Sequence, residues 1–325
     1  MASSDSNLAD PAQIERAFRR NGFVRIPVLS AEEVRAVRDE IYVCFRRRHG
    51  DIGSSEARDL TSRDLLSQSK LLCAIVHPRI TALLKCLLGA DCEYLPDFEA
   101  HINQYGIGGG GWHVDCGSEI PQPYLLEPRY RFVKCGLYLQ PNGPELAGGI
   151  DVLPGLHRWF PPLGSVKTRF RAQFILFDLL RRVRHYRVPT EAGDFVAFDS
   201  RLPHRGTAPG AAIVRQLSAQ HRTTNNFSGI IPPGCDKMVI YFDACRAGYA
   251  RQFLDNSVRR ARAEMGEPWS NQLRAQYLGL QYPDDFPPEF REQLTAAGIR
   301  MAVYDGPEKS AWIEHGRNYQ TALAR

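Results

Sequence analysis

Long apolar runs are missing from this sequence of 325 residues, and no stretch is long and apolar enough to span a bilayer as a helix. Met1 to Gln13 is polar and slightly acidic. It lacks the basic start and apolar run of a signal peptide, so a cytoplasmic location is the expectation. The 8 cysteines include no Cys-x-x-Cys pair and no short disulfide-framework spacing. They read as small apolar core residues in a reducing compartment, Cys116 among them. No internal repeat, low-complexity segment or nucleic-acid motif is present, which sets aside solenoids, linkers and nucleic-acid partners. A strong charge of one sign is missing too: 41 basic against 36 acidic residues leave +5. Arg46-Arg47-Arg48 and Arg181-Arg182-Val183-Arg184 read as solvated faces.

What is present suits a globular chain with a buried core: 43% hydrophobic and 24% charged residues. The expected organisation is one domain, 1–325, in three stretches. These are helical support at about 10–90, a β-rich core at about 92–243 and a helical extension at about 244–325. Gly22 to Pro27 alternates as a short strand. Ser30 and Glu33 then form a capping box ahead of Val34, Val37, Ile41 and Phe45 at helical spacing. A second helical stretch is expected from about Leu65 to Leu88, broken near Pro78. From Cys92 to Phe242 short β-rich runs alternate with Gly and Pro turns: Phe132–Leu139, Gly149–Leu153, Phe195–Phe198 and Lys237–Phe242. That punctuation predicts a sandwich or barrel. Gly108 to Gly111 is a turn without the strand-to-helix context of a phosphate loop. Beyond Ala244 the chain reads as polar and helical, with joints at Pro283 and Pro287-Pro288.

The chemistry-bearing residues are few. His113 and Asp115, two apart, share one face of a strand. His204 follows the turn and strand Ala192–Asp199, carried on a loop at the strand's far end. Two histidines and one carboxylate can cap one face of an octahedral Fe(II), leaving the opposite face open for oxygen and a co-substrate. Arg215, on an expected strand Ile213–Ala219, offers a planar guanidinium that can clamp the far carboxylate of a 2-oxo diacid. Taken singly, each has a plain structural reading: a hydrogen-bonded turn histidine, or an arginine in an ion pair. Two other classes stand beside an oxygenase. A metal-dependent hydrolase or isomerase of cupin type would use the triad but gives no role to Arg215. A non-catalytic binding protein on the same fold gives no reason for a complete triad.

In order and spacing, these motifs resemble the phytanoyl-CoA dioxygenase family of non-haem Fe(II)- and 2-oxoglutarate-dependent oxygenases. The resemblance runs from about Phe18 to Gln220. Asn21–Pro27 with Leu29–Val34 is similar to the family's opening strand and helix, and Trp112–Asp115 to its metal motif. Gly148–Arg158 is similar to its Pro-Gly-Ser-His stretch, with Leu156 in place of the usual Ser. Ala192–Phe198, His204 and Arg215 are similar to its distal-histidine and co-substrate motifs. The resemblance implies a mainly β double-stranded β-helix (jelly-roll, cupin-like) core with flanking helices. It implies His113, Asp115 and His204 as Fe(II) ligands and Arg215 as the anchor for 2-oxoglutarate, with polar contacts from Asn103 and Gln104. The family often has a small residue and then Ser or Thr after the distal histidine. Here Arg205-Gly206 intervene, which passes the hydroxyl contact to Thr207. His157 is not a ligand, and Asp199 or Asp151 is expected to orient the histidines.

The implied reaction consumes O2 and 2-oxoglutarate, releases succinate and CO2, and oxidises a C–H bond of a small-molecule substrate. Related halogenases lack the carboxylate, so Asp115 favours hydroxylation or another oxidation over halogenation. Family members act on acyl-CoA thioesters, amino acids, nucleotides and specialised metabolites. Arg129, Arg131, Arg158, Arg205 and Arg222 point to an anionic substrate, and no nucleic acid or membrane is expected as a partner. Residues 117–131 and 244–325 are expected to shape the pocket.

Overall fold

The computed structural model describes residues 10–49, 58–67, 69–103, 112–115, 131–142, 148–158, 186–207, 237–263, 274 and 277–323. The strand at Gly22 was expected to open the fold, but a helix, α1 (Pro11–Asn21), precedes it. Its signals are local. Asp10 accepts a hydrogen bond from the Ala12 N–H at 2.9 Å, Pro11 sits in the first turn, and Gly22 closes the helix in the left-handed region. Ile14 and Phe18 are its buried residues.

β1 (Phe23–Pro27) follows, then α2 (Ala31–His49). The capping box is present: the Ser30 N–H donates to the Glu33 carboxylate at 2.7 Å, and the Glu33 N–H to Ser30 Oγ at 3.3 Å. Val34, Val37, Ile41 and Phe45 are buried as their spacing requires. The expected stretch from Leu65 to Leu88 is divided into α3 (Ser62–Leu65), α4 (Ser69–Ile75) and α5 (Pro78–Leu88). Pro78 starts a helix rather than kinking one, because a proline costs nothing in the first turn, where its missing N–H has no partner to lose.

The remaining strands are β2 (Arg58–Leu60), β3 (Glu93–Tyr94), β4 (Glu99–Asn103), β5 (Phe132–Tyr138), β6 (Ile150–Val152), β7 (Tyr186–Val188), β8 (Asp194–Asp199), β9 (His204–Gly206), β10 (Lys237–Cys245) and β11 (Arg300–Met301). Among the described residues they form two sheets. The larger runs β1-β8-β5-β10-β3-β11, with β4 also on β10 and β2 on β4; the smaller runs β7-β6-β9. Alternation sorts the larger sheet's side chains. Val24, Ile26, Cys135, Leu137, Phe195, Ala197, Ile240 and Phe242 join the helices in one core. Phe23, Tyr138, Val196, Phe198 and Val239 instead meet Ile150, Val152 and Val188 of the smaller sheet.

Gly193 makes the sharp turn into β8 (φ +95°), and a Cβ there would lie 2.4 Å from the Leu29 carbonyl oxygen. After β10 come α6 (Ala250–Ala263), α7 (Pro288–Ala297) and α8 (Lys309–Leu323). This C-terminal part is not helical throughout, since β11 pairs in parallel with β3. No helix among the described residues is long and apolar enough to cross a membrane.

His157 lies in a helical turn (Leu156–Arg158), buried, its ring so close to Gly22 that a Cβ there would meet Nδ1 at 2.5 Å. Burial pushes its pKa from 6.5 down to about 4. The unfolded chain therefore takes up this proton first, and stability falls as pH drops from 6.5 to about 4. At about 1.4 kcal/mol per pH unit, the window amounts to about 3 kcal/mol. Urea unfolding at pH 7 and 4.5 should show that loss, and His157→Gln should remove this part of the slope.

Candidate metal centre

The site forms where the chain changes sheets. β8 ends at Asp199, whose carboxylate accepts the Arg201 N–H at 2.9 Å and the Arg201 side chain at 2.8 Å through both Nε and Nη2. This locked turn delivers His204 into the smaller sheet, opposite Val152. His204 thus begins a strand, β9, where a loop position had been expected. His113 is bound to it by reciprocal backbone hydrogen bonds, His113 N–H to the His204 carbonyl and the reverse, both 2.9 Å. The Asp115 N–H donates to the Ser200 carbonyl at 2.9 Å. His113 makes only an isolated bridge rather than part of a regular strand, so backbone ties to the His204 turn, more than strand alternation, bring the three residues together.

One ligand atom from each of His113, Asp115 and His204 lies within 4.8 Å of the others. His204 Nε2 is 3.3 Å from Asp115 Oδ2, and His113 Nε2 is 3.7 Å from Asp115 Oδ1. His204 Nδ1 is 3.0 Å from the Leu202 carbonyl oxygen, which can only accept, so Nδ1 carries a proton and Nε2, facing Asp115, is the ring atom available to an ion. That carbonyl is the direct hydrogen-bond partner of the His204 ring, where a carboxylate, Asp199 or Asp151, had been expected. Burial alone would raise the Asp115 carboxyl, but His204, with Lys134 and His113, outweighs it and holds the group well below the usual carboxylate range. His204 is buried while His113 is half exposed, which leaves one side open to ligands. Two imidazoles and a carboxylate fit a divalent transition metal with free positions opposite them.

A second cluster, absent from the sequence reasoning, lies beside the first. Lys134 on β5 stands directly across from Asp243 on β10 and donates to its carboxylate at 2.7 Å, with Asp97 at 4.0 Å. Burial raises the carboxyls of Asp243 and Asp97. Burial alone would lower Lys134, but Asp243, Asp115 and Asp97 outweigh it and keep the amine charged. Lone charges inside the apolar runs Phe132-Val133-Lys134-Cys135 and Phe242-Asp243-Ala244 were the available signal.

The sequence matches the family described as Phytanoyl-CoA dioxygenase (PhyH) over residues 18–214. The chain belongs to the phytanoyl-CoA dioxygenase family. Its coarse class is therefore an oxygenase-type enzyme. Among solved structures, SnoN, a non-heme alpha ketoglutarate dependent epimerase from nogalamycin biosynthesis, is 19% identical with a TM-score of 0.51, covering 73% of this chain and 85% of that one. SnoN in complex with Fe3+, alpha ketoglutarate and nogalamycin RO gives 18% and 0.51, over 73% and 85%. EctD from S. alaskensis with bound Fe is 17% identical at 0.48, over 74% and 79%. No curated protein matches. The likeness to SnoN shows the fold: a jelly-roll core with flanking helices.

In this member of the phytanoyl-CoA dioxygenase family, the other expected site residues are distributed unevenly. Thr207 is buried and its hydroxyl donates to Asp151 at 3.0 Å. Asn103 ends β4, paired with Lys237. Gln104, Arg215 and the expected strand Ile213–Ala219 lie outside the described residues, and the family match ends one residue before Arg215. So do Gly108–Gly111, Cys116, Arg129, Arg222 and Arg181–Arg184. Of the arginines taken to mark an anionic substrate, Arg205 is already engaged, ion-paired to Asp151 at 3.1 Å.

Lys134→Met leaves Asp243 buried without its counter-charge and should destabilise the fold by about 3 kcal/mol. Urea unfolding of Lys134→Met against Lys134→Met/Asp243→Asn should show most of that loss recovered in the double variant.

Proposed function

We propose that this protein is an Fe(II)- and 2-oxoglutarate-dependent dioxygenase that oxidises a C–H bond of a small molecule and releases succinate and CO2, with residues 1–325 acting as one domain. The observation that carries the reading is the His113–Asp115–His204 cluster at the sheet crossing of a chain in this family. The SnoN complex, with its iron and alpha ketoglutarate, supports it as a relative in fold.

His113, Asp115 and His204 would hold the iron, which with 2-oxoglutarate supplies oxygen activation for C–H oxidation. His204 presents a lone pair from Nε2 because its Nδ1 proton goes to the Leu202 carbonyl. Asp115 stays ionised, so it contributes charge without first giving up a proton. As a ligand it would favour hydroxylation or another oxidation over halogenation. In this reading Arg215 clamps the far carboxylate of 2-oxoglutarate. Asn103 and Gln104 border the co-substrate. Thr207, its proton committed to Asp151, has no hydroxyl proton left for the co-substrate contact expected of it.

Anaerobic titration with Fe(II) and 2-oxoglutarate tests the proposal through the weak visible charge-transfer band of the chelate. The wild type should show the band, and His113→Ala or His204→Ala should lose it. Arg215→Ala should keep Fe(II) binding but need roughly tenfold or more 2-oxoglutarate, the cost of a charge-assisted hydrogen-bonded pair. A wild type without the band overturns the reading. Turnover independent of 2-oxoglutarate would favour the cupin-type hydrolase or isomerase.

A further inference from the structure

His113 and His204 belong to separate pieces of chain; their backbone exchange sets the spacing of the main chains, and the Leu202 carbonyl holds the His204 ring. β9 is 3 residues long, and His113 meets it through an isolated bridge. That is a slight scaffold for a site whose ligand atoms must hold their places.

The residues next to the two histidines add a constraint that ties one piece to the other. Arg205, directly after His204, reaches Asp151 Oδ2 with Nε at 3.1 Å and Nη2 at 3.1 Å. Its guanidinium carbon lies 4.9 Å from the ring centroid of Trp112, the residue directly before His113. Trp112 is itself buried against Leu153 and Leu156. Asp151 is fully buried on β6, with Arg205 in register on one side and Arg187 on the other. It also accepts from Arg187 Nε at 3.4 Å and from the Thr207 hydroxyl at 3.0 Å. A planar guanidinium can do two things at once, hydrogen bonding through its edge and stacking through its face; an ammonium cannot.

We propose that Asp151 and Arg205 are positioning residues of the metal centre. Through the Trp112 stack they fix the relative placement of the His113 and His204 rings, and Thr207 joins the same network through Asp151. The proposal rests on the metal reading above. Neither residue touches the ion; both act through the segments that carry its ligands.

Co(II), whose visible absorption reports coordination geometry, is the probe. Full-length wild type, Arg205→Lys, Arg205→Met and Trp112→Leu are titrated with Co(II), and thermal unfolding of each metal-free protein reports the fold separately. Arg205→Met should bind Co(II) roughly tenfold or more weakly, with an altered band shape, as expected when a supporting partner of a ligand is lost. Arg205→Lys, which keeps the ion pair and loses the stack, should fall between. Trp112→Leu removes the stack from the other side and should show the same direction if Arg205→Met does not fold. A folded Arg205→Met or Trp112→Leu with wild-type Co(II) affinity and spectrum overturns the positioning role, whatever its melting temperature. Failure of the wild type to bind Co(II) overturns the metal reading itself.

Discussion

Everything at the candidate site depends on the pair of backbone hydrogen bonds exchanged between His113 and His204. They close a gap that neither piece of chain can bridge alone. One piece arrives from the larger sheet through the Asp199–Arg201 turn, and the other is the short run Trp112–Asp115. Without that exchange the histidines are a turn residue and a loop residue. With it, a buried imidazole, an exposed imidazole and an ionised carboxylate converge within a few ångströms of one another.

Both sheets carry more buried charge than a core usually does. Lys134, Asp243 and Asp97 lie together on the larger sheet, and Asp151 with Arg187 and Arg205 on the face of the smaller sheet that points away from it. Buried ion pairs of this kind are rarely retained for stability, because desolvation offsets most of the attraction. Their placement fits a different use. Each network lies beside a member of the candidate site: Lys134 acts electrostatically on Asp115, and Arg205 adjoins His204. The same networks explain why charged residues near the motifs are a poor guide to the substrate. Arg205 looks like an anion-binding group in the sequence, yet its guanidinium is held by Asp151.

Much of the fold was legible because its signals are local. The Ser30 capping box, the apolar stripe of α2, the helix boundary at Pro78 and the runs that became β5, β6, β8 and β10 each depend on residues within a turn or two of one another. α1 was equally legible from Asp10, Pro11 and Gly22, and the polar look of the N-terminus concealed it. β11 was not. Arg300–Met301 is a strand only because β3 offers it a parallel partner from far along the chain, and nothing within 2 residues records that.

By itself the sequence determined the residue types of the candidate metal site, their order, and the β-rich core that carries them, since donor chemistry and period-two alternation are properties of short stretches. Only the tertiary structure decided how the triad closes and which carbonyl orients His204. It also decided that Thr207 and Arg205 answer to Asp151. These are contacts between strands distant in the chain, and a partner selected by sheet pairing leaves no periodic trace in the residues on either side of it.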